Sequence, residues 1–321
     1  MPDHAGVSVV IPTYNRAAQV VGAVASALAQ RWEPLEVIVV DDASTDDTVE
    51  RLLAMSDSDP RLRVVTRDRN GGESVARNQG ILVSRLPYVA FLDSDNRFMP
   101  AKLERQMPDL LSGPAGSVGF TGYIESSEDQ ERAVILDDWF SDPETVIDAL
   151  LAACAVNTST FVAPRETLLR GGLFRADLPC CADHDLWLRL AASGCAFLYE
   201  PAPLTVYRVH PGGVSADGAL VARYEELVVG DFLARPDLPP QVSRRSGYWR
   251  ARWALTGAER RLAAGMPAAA LRSLCRAVAA CPSAVRPGWA VIALVSLQRL
   301  VSQAFTAGLR SRGAVANGAD E

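Results

Sequence analysis

Two carboxylates one residue apart, Asp93 and Asp95, close an apolar run in YVAFLDSDN (88–96). Aspartates at i and i+2 on a turn after a buried strand can aim oxygens at one hard cation. Mg2+ and Mn2+ take oxygen ligands and share them with substrate phosphates, and a bound cation also accounts for like charges set so close. The plainer alternative is a turn in which Asp93, Asp95 and Asn96 only make local hydrogen bonds. Two more polar clusters follow apolar runs in the same way. They are Thr13-Tyr14-Asn15 after VSVVIP (7–12) and Asp41-Asp42 at the end of LEVIVVDD (35–42).

Such clusters act together only if the fold brings them to one edge. VSVVIP, LEVIVVDD, RLRVVTR (61–67) and YVAFLD (88–93) read as buried strands rich in β-branched residues. Helices are predicted between them. In 17–32, Val20, Val21, Val24 and Leu28 recur at helical spacing; 44–55 has Ser44 or Thr45 near its cap; 70–86 turns helical after its glycines. This alternation predicts an α/β fold, a Rossmann-like, mostly parallel sheet flanked by helices. Ligands of such sheets bind beyond the carboxyl ends of the strands, so the three clusters should converge. Downstream, the pattern predicts a short helix over 101–111, a hairpin of 117–126 with 131–136 and a strand over 158–164. A helix over 183–193, closed by Gly194, then precedes a strand-like stretch from 197 that runs into a Pro-Gly-Gly loop. The proline-rich ARPDLPPQVS (234–243) reads as a linker, followed by a helical hairpin over 252–281 and an apolar helix over 288–305.

Taken in order, VSVVIPTYNR (7–16), VVDDASTDDT (39–48), NGGESVARNQG (70–80), FLDSDN (91–96), GGLF (171–174), ADHDLWLRLA (182–191) and YRVHPGGVS (207–215) resemble the family 2 inverting glycosyltransferases of GT-A fold. Several blocks in one order are far more specific than any one of them. The resemblance implies a GT-A domain over 1–235, with a donor half to about 115 and an acceptor half beyond it; past it, the residues themselves read as a basic helical arm over 236–312 and a flexible tail over 313–321. It implies transfer of a sugar from a nucleoside diphosphate, UDP foremost, to a hydroxyl of a glycan, lipid-linked or small-molecule acceptor. Mn2+ or Mg2+ would be the cofactor, and the setting cell-surface glycan synthesis, with natural-product glycosylation as the alternative.

By the same resemblance, Pro12, Thr13 and Tyr14 hold the nucleotide base and Asp42 accepts from its N–H. Arg77 stands near the diphosphate, Asp93 and Ser94 lie by ribose and metal, Asp95 is the direct metal ligand, and His210 completes the metal shell. On the DHDLW helix, Asp183 is the base that deprotonates the acceptor, Asp185 the runner-up, and Trp187 a platform for an acceptor sugar. Each assignment has a structural rival: Asp183 suits a helix N-cap, Trp187 a core, Arg77 a surface helix and His210 a packed loop. Where the family usually has glutamate before the base, this chain has Ala182. That departure bears on acceptor contacts and is the support for a rival reading, a non-catalytic nucleotide-sugar binding or scaffold protein.

The net charge of −6 is unevenly spread. Between residues 241 and 312, twelve arginines stand against one acid, Glu259, so the negative excess lies in residues 1–240. The arm could rest on an anionic membrane, form a homodimer contact or pack on acidic partners of its own chain. An acidic body without a recognition motif argues against nucleic acid. The six cysteines lack CxxC spacing, which argues against zinc and for reduced thiols. Neither a secretory start nor an apolar run of spanning length is evident, so a cytoplasmic protein, peripheral at the inner membrane face, is expected.

Overall fold

The computed structural model describes residues 5–136 and 145–284, with isolated positions at 293, 295, 296 and 298. The apolar stretch 288–305, apart from those positions, and the tail 313–321 lie outside the described residues. Residues up to Gly213 form one compact unit and those from Val214 a second.

In the first unit, β1 (Val7–Thr13) lies between β2 (Leu35–Asp41) and β4 (Tyr88–Phe91), and β3 (Leu62–Thr66) flanks β2; all three pairings are parallel. β1 and β2 are buried at every position, because helices cover both faces. Val9, Ile11, Val37 and Val39 pack with Val20 and Val24 of α1 (Ala17–Leu28) and with Leu103 and Met107 of α4 (Lys102–Ser112). Ile38 and Val40 point the other way, onto Ala76 of α3 (Glu73–Val83). Each such fully buried side chain contributes about 1.5–3 kcal/mol. Gly80 lets α3 close on β1, since a Cβ there would collide with Val10 Cγ1. The helix after β2, α2 (Thr48–Ser58), starts later than expected. Ser44 and Thr45 do not cap it. They hold the turn after β1 instead, Ser44 Oγ accepting from Asn15 N at 2.8 Å and Thr45 N donating to Asn15 Oδ1 at 2.8 Å.

Beyond β4 the sheet turns mixed, the strands over 162–164, 118–126, 197–208 and 97–98 following in that order. β8 (Val162–Pro164) runs antiparallel to β4, and the expected hairpin is β6 (Val118–Ser126) with β7 (Glu131–Val134). β9 (Phe197–Arg208) pairs parallel with β6 and antiparallel with the short β5 (Arg97–Phe98). α5 (Val146–Ala152) and α6 (Arg165–Arg170) precede α7 (Ala182–Ala192), the DHDLW helix. His184 fastens α7 to α5: its Nε2 lies 2.9 Å from the Leu150 carbonyl, which can only accept. Burial pushes its pKa down and favours the neutral ring.

The second unit is helical: α8 (Gly218–Phe232), α9 (Pro240–Arg244), α10 (Ser246–Ala263) and α11 (Pro267–Ala280). The expected boundary near residue 235 falls just after α8, which lies in the second compact unit. Its Glu225 pairs with Arg260, and its Glu226 with Arg261 and, at 2.7 Å, with Arg276. The proline stretch only turns the chain between helices that pack together. None of the described helices is long and apolar enough to cross a membrane.

Candidate active site

β1 and β2 end level, Thr13 opposite Asp41, and Asp42 N donates to Thr13 O at 2.8 Å; Leu92, just past β4, hydrogen-bonds Val10 of β1. The three polar clusters thus meet on one rim. Asp93 to Asn96 form a turn closed by Asn96 N donating to Asp93 O at 3.0 Å. Arg77 Nη2 donates to Asp93 Oδ1 at 2.6 Å and to Glu73 Oε2 at 3.0 Å. The arginine is buried, its guanidinium 5.6 Å from the Phe174 ring centroid. Burial works against its charge, but Asp93 and Glu73 more than offset this and raise its pKa. Arg77 therefore sits under the turn as the counter-charge of Asp93 rather than open on a helix surface.

Asp95 points elsewhere. Its Oδ2 lies 2.9 Å from Arg16 Nη1 and 3.1 Å from His210 Nε2, and these two nitrogens are 3.4 Å apart. The chain itself places a cationic group against both this carboxylate and this imidazole, so the spot suits positive charge. One carboxylate oxygen and one imidazole nitrogen fit a divalent ion that takes its other ligands from phosphate and water. Asp93, expected as a further ligand, does not join them: its oxygens go to Arg77, Ser159 and Asn96. Among the described residues, no three acidic, histidine or cysteine side chains converge as a ready-made metal group.

At the base end of the rim, Tyr14 is 44% exposed whereas Pro12, Thr13 and Ser94 are buried. Thr13 Oγ1 and Asp41 Oδ1 are buried without a hydrogen-bond partner among the described residues. Asp42 also faces the glycine turn ahead of α3. Its carboxylate accepts from Gly71 N (3.0 Å to each oxygen), from Gly72 N at 2.7 Å and from Arg67. Three donors thus hold this carboxylate, the Gly71 N–H shared between its two oxygens, and two of the three belong to the glycine turn ahead of α3.

Asp183 lies in the first turn of α7, not at its N-cap, which is Cys181 in the left-handed region at φ 60°. One of its oxygens accepts from Thr158 Oγ1 at 2.6 Å and the other from His184 N at 2.8 Å. The side chain is half-buried and keeps lone pairs for a further proton. Two neighbours on α7 depart from expectation. Trp187 is fully buried, stacked on Phe161 at 3.5 Å between ring centroids and edge-on to Phe174, so it presents no face to an acceptor. Asp185 is 7% exposed and bound to Arg189 at 2.8 Å, with Arg175 at 3.6 Å. It serves to aim Arg189 at the carbonyls of Gly171 and Leu173.

Sequence reasoning gave no role to Arg16, Arg67, Thr158 or Ser159. Arg16 stood within PTYNR, one residue past the cluster that drew attention. Arg67 closes the third strand, and a lone arginine there carries no signal. Thr158 and Ser159 lay in TSTFVAP, whose β-branched residues read as strand; they form instead a 3-10 turn, Thr158–Thr160, initiated by Asn157.

The model of glycosyl transferase family 2 matches residues 8–162. WfaP of Escherichia coli, a UDP-Glc:alpha-D-GlcNAc-diphosphoundecaprenol beta-1,3-glucosyltransferase, is 30% identical over 224 residues, 69% of this chain and 82% of WfaP. The succinoglycan biosynthesis protein ExoU of Rhizobium meliloti is 42% identical over 60% of this chain and 58% of ExoU. Among solved structures, S. aureus TarS 1–349 in complex with UDP-GlcNAc superposes with a TM-score of 0.68 at 16% identity, covering 94% of this chain and 92% of that one. The mannosyltransferase PcManGT from Pyrobaculum calidifontis, in complex with GDP-Man and Mn2+, gives 0.62 at 20% identity over 92% and 86%. At those identities the structures speak for the GT-A fold alone. With WfaP aligned over most of its length and the family model running from β1 into β8, the chain belongs to glycosyl transferase family 2.

Proposed function

We propose that this glycosyltransferase moves a sugar, with inversion, from a UDP-sugar to a hydroxyl of a lipid-linked acceptor in cell-surface glycan synthesis, working peripherally at the inner membrane face. The observation that carries the reading is the pairing, in one unit, of a cation-attracting spot at Asp95 and His210 with a separately held carboxylate at Asp183. The acceptor and setting are supported by WfaP, whose acceptor is a diphosphoundecaprenol-linked sugar, and by the succinoglycan role of ExoU.

Asp95 and His210 would hold Mg2+ or Mn2+. When bound, that ion offsets the charge that grows on the departing diphosphate. Arg16 and Arg77 add fixed positive charge at the same turn. Tyr14, Thr13 and Pro12 border the place for the base, and the orphaned Thr13 Oγ1 and Asp41 Oδ1 are polar atoms a nucleoside could satisfy. Asp183 takes the proton of the acceptor hydroxyl while that oxygen attacks the anomeric carbon from the face opposite the nucleotide. The bond from the anomeric carbon to the diphosphate breaks, and UDP leaves with its electron pair.

Asp183→Asn is expected to lower kcat about 10²–10⁴-fold while UDP affinity stays within about twofold. Steady-state kinetics with UDP-glucose and a GlcNAc-diphospholipid, calorimetry with UDP, and NMR of the product anomer test this. Turnover at the parent rate would remove Asp183 as the base, and a product of retained configuration would remove inversion.

A further inference from the structure

We infer that the consecutive hydroxyls of Thr158 and Ser159 set the base and the metal-bearing turn in register with each other, Thr158 as a positioning residue for Asp183 and Ser159 as a positioning residue for the Asp93–Asn96 turn. The inference rests on the proposed reading of Asp183 as the base.

Asn157 begins the Thr158–Thr160 turn by accepting from Ser159 N at 2.9 Å on its side-chain oxygen. Successive side chains of a 3-10 turn point about 120° apart, so neighbouring hydroxyls reach in different directions. Thr158 Oγ1 donates to Asp183 Oδ2 at 2.6 Å, a charge-assisted bond that fixes the rotation of the carboxylate.

Ser159 Oγ reaches the other way. It donates to Asp93 Oδ2 at 3.0 Å and accepts from Asp93 N at 3.0 Å and Asn96 Nδ2 at 2.9 Å. One hydroxyl has one donor and two acceptor positions, and all three are spent on the two ends of the turn that presents Asp95. Both residues are buried, Ser159 completely.

The turn itself is braced. Gln106 Nε2 donates to Thr160 O at 3.2 Å, and Lys102 Nζ in turn donates to Gln106 Oε1 at 2.6 Å. Thr205 Oγ1 on β9 donates to Ser159 O at 3.1 Å. A displacement of this turn would therefore move both carboxylate sites together. Inversion needs the base and the leaving group held on opposite sides of one carbon, and misplacement by about 1 Å is enough to cost about 10²-fold.

The test compares Thr158→Val, Thr158→Ser, Ser159→Ala and Asp183→Asn in the full-length chain. Thr158→Val keeps shape and loses the hydroxyl; it should lower kcat about 10–100-fold with the UDP dissociation constant within about twofold. Thr158→Ser should restore most of that loss. Ser159→Ala should weaken UDP binding in the presence of Mn2+ about tenfold, as loss of an outer-shell partner does. Thr158→Val turning over at the parent rate beside an inactive Asp183→Asn would sink this inference alone. So would Thr158→Ser as impaired as Thr158→Val, or Ser159→Ala with unchanged UDP affinity. An active Asp183→Asn would remove the base and this inference with it.

Discussion

Arg67 is the counter-charge that lets Asp42 stay inside. Both side chains are largely buried, and the remaining partners of Asp42 are backbone N–H groups. Arg67→Met should destabilise the protein by about 3 kcal/mol, the cost of leaving one charge of a buried pair uncompensated. Asp42→Asn in the same background should recover much of that, since it removes the stranded charge. Urea titration of the single and double variants measures both steps, and additive losses would show that the pair does not act as a unit. At this scale the chain's lettering was uneven. Asp93, Asp95, Asp183 and His210 stand in blocks whose order is distinctive, and Asp95 with His210 does come together. Trp187 and Asp185 were misjudged because helical spacing shows which residues share a face, not which face is wet. Trp187 follows Asp183 by one turn yet lies under Phe161. Thr158 and Ser159, the partners of Asp183 and of the Asp93 turn, carry no charge and sit far away in the chain, so no local pattern marks them.

At the scale of elements, α4 carries an ionisable group inside the core. Lys102 is fully buried, with Nζ 2.6 Å from Gln106 Oε1 and 4.6 Å from the centroid of Phe98. Burial pushes its pKa from the ordinary 10.5 down to about 7. A lysine whose folded pKa lies below its unfolded value binds fewer protons when folded across that interval. Stability therefore rises with pH from about 7 to 10.5, and the full penalty is present below 7. In Lys102→Met that rise should vanish, leaving a flatter curve. Thermal or urea unfolding between pH 6 and pH 10 measures the slope, which is the informative quantity because Gln106 also loses its donor. Equal slopes in parent and variant would refute the assignment. The parallel strands and covering helices were legible because two-faced burial demands unbroken apolar runs. The antiparallel direction of β8 was not, since a three-residue strand carries no directional signal.

For the whole molecule, charge is distributed more locally than its totals suggest. Glu225 and Glu226 already occupy Arg260, Arg261 and Arg276, whereas Arg244 and Arg272 are exposed on their helices. The full chain is expected to float with vesicles of anionic lipid in low salt and to be released in high salt, as an electrostatic contact requires. Because α8 lies in the second unit, the informative truncation ends at Gly213. Equal flotation of both forms would move the contact to the first unit. The proline run 234–243 looked like a border because composition marks turns, and a turn between packed helices has the same composition as a linker.

Asn96 has a mechanical consequence. Its side-chain oxygen accepts from Arg208 N at 2.9 Å, while its amide is tied to Ser159. The knot grips the backbone two positions before His210. Any swing of that imidazole away from Asp95 must start downstream of this fixed point. Val209 N is held as well, donating to Ser126 O at 2.8 Å, so the histidine can turn about its own bonds but cannot carry the strand behind it along.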